Sequence, residues 1–134
     1  MRSRPRRDRP RRPYANMDNA LMIPYWLAAG TALLVLYGSL TPGWLRPRSG
    51  LDGHIEHLIA YAVLGFSILV FVASPQDLLL MQIVLIAVAA AMETAQRWIP
   101  GRSCRLSHFL ASCAGTIIAT LTGAVLLLEP ILAA

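Results

Sequence analysis

Lysine is missing from this sequence, and charge of either sign is scarce. All 12 basic residues are arginine, and charged residues make up only 14% of the chain, against about a quarter in a water-soluble domain. Cysteine is nearly absent too. Cys104 and Cys113 fit no metal-binding spacing and exclude a disulfide framework; were both helical, they would lie about 13 Å apart, beyond the reach of a bridge. No stretch alternates polar and apolar residues with period two, which excludes sheet and barrel. There is no H-E-x-x-H pair, no nucleophile turn and no internal repeat.

What fills the sequence is hydrocarbon. Hydrophobic residues account for 56% of the 134, and the mean hydropathy is +0.54. The apolar residues fall into four blocks, each near the ~20 residues that cross a bilayer as a helix. The first runs from about Leu21 to the turn Thr41-Pro42-Gly43, and the second from about Ile55 to Ala73. The third starts near Asp77, an expected N-cap, and ends at Trp98-Ile99-Pro100-Gly101. The fourth begins near Ser107 and reaches Leu128. Short loops make consecutive helices antiparallel neighbours. The expectation is an all-α, multi-pass transmembrane bundle of about four helices over residues 21–134.

Ahead of it lies an Arg/Pro-rich segment, residues 1–20, with seven arginines in its first twelve positions. Its prolines break helix, so it reads as a disordered tail, solvated or touching lipid headgroups, with no nucleic acid expected. It lacks the cleavage site of a signal peptide. Four spans place the first and third loops together, opposite the tail. Their five arginines (Arg46, Arg48, Arg97, Arg102, Arg105) stand against the seven of the tail, which favours a cytoplasmic N-terminus and outward-facing loops. A start at Met17 would invert that balance.

The polar residues inside the apolar blocks carry the functional signal. Gln82 and Glu93 are eleven residues apart, close to three turns, and share a helix face with Gln96 nearby. Such a stripe must look into the bundle. Glu93 and Arg97 have i,i+4 spacing and could form a local pair. At the start of the second block, LDGHIEHLIAY puts His57 and Tyr61 on one face. Because the first and third loops share a side, His57, Tyr61, Glu93, Gln96 and Arg102 gather in one layer, and they form the expected ligand pocket. Arg102 is the expected anion contact, with Glu93 as its partner. His54, His57, His108 and Glu93 could ligate zinc, but their spacing matches no metal signature, and neither metal nor other cofactor is expected. On the fourth block Ala111, Gly115, Ala119 and Gly123 form a small-residue stripe, beside Ser112, Thr116 and Thr120. It suits close packing within the bundle, or a homodimer.

Three elements together resemble the VanZ-like membrane proteins: Ser39-Leu40-x-Pro42, Glu56-His57-x-x-x-Tyr61-x-x-Leu64-Gly65, and Glu93-x-x-Gln96-x-x-x-Pro100-Gly101-Arg102. Gly115 on a small-residue last helix adds to them. The likeness spans about residues 37–123. It implies a multi-pass protein of the bacterial cytoplasmic membrane acting at the cell envelope, with glycopeptide (teicoplanin-type) resistance or binding of an anionic envelope component as its role. The sequence departs from the family pattern at His108 and Ser112, where an Asp and an Asn are usual, and at Gly53, where an Asp is usual. Two readings of another class remain beside it. One is a small transporter or channel using the Gln82–Glu93 stripe. The other is an intramembrane enzyme with Glu93 or His57 as general base, although no catalytic residue is assigned.

Overall fold

The computed structural model describes residues 14–45 and 49–132. The tail over 1–13, and Arg46 and Arg48, lie outside them. Among the described residues the chain is all-α: α1 (Tyr14–Leu40), α2 (Gly53–Leu69), α3 (Pro75–Ala95), a 3-10 turn (Gln96–Trp98) and α4 (Leu106–Leu132). Two boundaries differ from expectation. α1 begins at Tyr14, so residues 14–20 belong to a helix rather than to the tail. α3 is capped by Ser74, not Asp77. The Ser74 hydroxyl accepts from the Asp77 N–H at 3.2 Å, and the Asp77 carboxylate accepts the Ser74 hydroxyl at 2.7 Å. Pro75 follows at the first helical position, where its missing N–H costs nothing.

Three segments are long and apolar enough to cross a membrane: Met22–Leu40, Pro75–Trp98 and Leu106–Glu129. α2 is apolar but has only 17 residues, short of the expected full span. The outer surface is hydrocarbon. Trp26 is 74% exposed, Leu34 70% and Leu106 72%. Side chains of this kind facing water would be costly, whereas facing lipid they are at home; the chain is a membrane protein.

α4 is the centre of the bundle, packing along α2 and against α3. The small-residue stripe explains why. A Cβ on Gly115 would run into the Leu58 carbonyl and stand 2.9 Å from the Ala62 amide. A Cβ on Gly65 would meet that of Ala119 at 2.6 Å. Backbones this close gain dispersion contacts that larger residues would forbid. The stripe that could also have served a homodimer is therefore filled from within by α2. Tyr61, Leu64, Leu78, Met81, Leu85 and Ala89 make the apolar core beside it.

Polar staples finish the packing. Thr31 on α1 bonds Ser67 on α2 at 2.8 Å. Gln82 is held at both ends of its amide by α4: its Nε2 donates to Thr116 at 3.1 Å, and its Oε1 accepts from Thr120 at 2.6 Å. Gln82 therefore belongs to a helix clamp. Ala89, on the way from Gln82 to Glu93, is 2% exposed and packs in the apolar core.

Candidate functional site

The polar residues collect where α1 ends, α2 and α4 begin, and α3 gives way to its 3-10 turn. The loops there are stitched together. The Gly43 N–H donates to the Pro100 carbonyl at 3.2 Å, and the backbones of Gly43 and Gly101 are in direct contact, leaving no room for a Cβ on Gly43. Gly101 itself has φ +74°, a left-handed turn that returns the chain toward α4.

Two sequence-predicted residues cap helices in this region. The Arg102 guanidinium donates through Nη2 to the carbonyls of Gly38 at 2.5 Å and Ser39 at 3.0 Å. These are among the last carbonyls of α1, which have no partner within the helix and carry its negative dipole end. Glu93, only 5% exposed, accepts the Arg105 N–H at 2.5 Å, at the start of α4. A carboxylate there meets the positive end of that helix. The Glu93 carboxylate turns inward to a backbone amide and Arg97 is exposed, so the local Glu93–Arg97 pair is not what holds this acid.

Above these caps lies a polar cavity of about 310 Å³ whose lining includes His54, His57, Gln96, Arg102, Arg105 and His108. Gln96 is 2% exposed, and its Nε2 has no hydrogen-bond partner among the described residues. A buried amide donor left unmade is costly, and at a cavity wall it is ready for an oxygen acceptor. A second hollow of about 120 Å³ shares His57 and Arg102 with the first and adds Tyr61, Leu34, Val35 and Ala60. A third, about 200 Å³ and lined by Thr31, Leu34, Val35, Ala60 and Val63, shares its apolar wall with the second. The three share lining residues in turn, from a polar end that holds Asp52 and Glu56 beside the arginines to an apolar end between α1 and α2.

Of the five expected site residues, His57, Gln96 and Arg102 line the polar cavity and Tyr61 lines the hollow below it. Glu93 lines neither. Sequence reasoning named His108 only as one of four conceivable zinc ligands and left it out of the expected pocket. His108 stacks on His57 with ring centroids 4.9 Å apart and meets His54 edge-on, also at 4.9 Å. One ligand atom from each of His57, Glu93 and His108 lies within 4.8 Å of the other two. A Cβ on Gly53 would stand 3.2 Å from His108 Nε2, so the ring would have to give by a few tenths of an ångström.

At the rim, Asp52 caps α2 by accepting the His54 N–H at 2.8 Å and contacts the His54 ring at 2.6 Å. The backbone amide first, and then the ring, hold its carboxyl below the usual range. No family model, curated protein or solved structure matches the chain.

Proposed function

We propose that the chain is a VanZ-like multi-pass protein of the bacterial cytoplasmic membrane that binds an anionic envelope lipid. The phosphate-bearing head occupies the polar cavity, and the hydrocarbon tail lies in the groove between α1 and α2. The observation that carries this reading is that three neighbouring hollows share lining residues, with Arg102 and Arg105 at the polar end and an apolar lining at the other. Arg105 and Arg102 supply positive charge and donors suited to phosphate oxygens, and the Gln96 amide gains the acceptor it lacks. The Glu93-to-Arg102 element supports the family, and the family resemblance supports an envelope role. The arginine balance supports a cavity facing outward. A glycopeptide is far larger than a cavity of about 310 Å³, so the lipid is preferred.

Native mass spectrometry of the full chain in detergent tests the reading. Phosphatidylglycerol is expected to be retained in preference to phosphatidylcholine. Arg105→Gln, at the head, and Ala60→Leu, in the groove, should each weaken retention about tenfold, or about 1.4 kcal/mol. Equal retention of both lipids, or indifference to both substitutions, overturns the reading. Teicoplanin binding that Arg105→Gln abolishes while lipid retention stays unchanged would put the glycopeptide in its place.

A further inference from the structure

The geometry points to a divalent transition-metal site, of the kind that takes Zn²⁺, formed by His57 from α2, Glu93 from α3 and His108 from α4. Three helices each contribute one donor, and the donor atoms lie within 4.8 Å of one another. Tetrahedral Zn²⁺, with bonds of about 2.0–2.2 Å, sets its ligand atoms about 3.3–3.6 Å apart. Binding therefore asks for an inward movement of about an ångström, within the range of small side-chain rotations. Two imidazoles and a carboxylate are a donor set that zinc takes with a fourth position left open.

The surroundings are arranged as metal ligands require. The Ser112 hydroxyl donates to the His108 carbonyl at 3.1 Å. Its one proton is thereby committed, so at 3.2 Å from His57 Nδ1 its oxygen accepts the ring N–H. A hydrogen bond of this kind to one ring nitrogen orients the imidazole, which is how an outer partner prepares a ligating histidine. Glu93 has Oε1 held by the Arg105 N–H at 2.5 Å, which orients the carboxylate. His57 and His108 both line the cavity of about 310 Å³, which gives the fourth position room for water or an oxygen ligand. The buried Gln96 amide stands in the same wall. His54 is not part of the trio, since the group of donor atoms within 4.8 Å of one another does not include it.

The site does not depend on a lipid being bound, and its test uses none. The full chain, purified in detergent without a histidine tag and stripped with chelator, is titrated with Co²⁺ by visible absorption and with Zn²⁺ by calorimetry. One equivalent per chain is expected, with intense low-coordinate Co²⁺ bands that Zn²⁺ displaces. Ser112→Ala should weaken binding about tenfold, and His108→Ala and Glu93→Gln by more than the ~100-fold upper range of an outer-shell loss. Cys104→Ser should leave it unchanged and guards against an adventitious thiol. Wild-type protein that gives neither bands nor heat overturns the site. Bands that survive in folded His108→Ala protein do so as well, and neither outcome requires Glu93 to tolerate substitution.

Discussion

Arg102 closes the end of a helix that lies 64 residues earlier: its guanidinium donates to the Gly38 carbonyl at 2.5 Å. The arginine that the sequence presents as an anion contact is thus also the C-terminal cap of α1. Hydrogen bonds from a charged donor contribute about 1.5–3 kcal/mol each. Arg102→Gln is accordingly expected to lower unfolding stability in detergent by about 1–3 kcal/mol. Arg97→Gln, on an exposed side chain, should change it by less than about 0.5 kcal/mol. Equal losses from the two would mean that the cap is dispensable.

The α2–α4 contact makes a sharper test of packing. Gly115→Ala should destabilise by more than about 2 kcal/mol, because even a methyl group would strike the Leu58 carbonyl. Gly30 is the matched control: it is helical, and a Cβ there would have nothing within 4 Å, so Gly30→Ala should be neutral or stabilising by up to about 1 kcal/mol. Gly50 is a poor control, since at φ +78° any side chain is strained. Unfolding in a denaturing detergent, compared across the two variants, decides the matter.

Asp52 supplies a pH dependence with a definite sign. Its folded-state carboxyl sits below its usual value, held first by the His54 N–H and then by the His54 ring. A group depressed in this way stabilises the fold above its unfolded pKa, and that contribution is lost as pH falls through the folded pKa. Stability should therefore decline on acidification below about pH 4. Asp52→Asn keeps a capping oxygen and should flatten that part of the profile. An unchanged acid limb in this variant would remove Asp52 from the explanation.

The proposed orientation is open to direct labelling. In a background carrying Cys104→Ser and Cys113→Ser, Ser49→Cys should react with a membrane-impermeant thiol reagent in intact cells. Gln76→Cys should react only after the membrane is opened. The reverse pattern would put the cavity on the cytoplasmic side.

Much of the bundle was legible in the sequence because spans are written in hydrocarbon and their ends in Ser, Asp, Pro and Gly. Thr41-Pro42-Gly43 closes α1, and Pro100-Gly101 separates α3 from α4, as the residues foretold. The small-residue stripe likewise announced a close neighbour. Its identity was not written there, since four short-looped helices can be arranged with α2 beside α3 or with α4 between them. That choice decided the site. Antiparallel order brought His57 toward Glu93, but only the insertion of α4 added His108 and Ser112 and turned Glu93 toward the start of α4. Arg102 was unreadable for a similar reason, because a side chain reaching a backbone carbonyl leaves no trace in residue identity.

The 17 residues of α2 carry a mechanical consequence. At about 1.5 Å each they rise about 26 Å, less than the ~30 Å thickness of a bilayer's hydrocarbon interior. Its neighbours are long enough, so the leaflet must pinch inward along this one side, or water must follow the helix end down. Pinching at the N-terminal end of α2 would bring the phosphate plane toward His57 and Arg102 at the mouth of the proposed groove. Occupancy of the groove should then depend on acyl-chain length as well as on headgroup, falling when the protein is moved from thin to thick nanodiscs of the same charge.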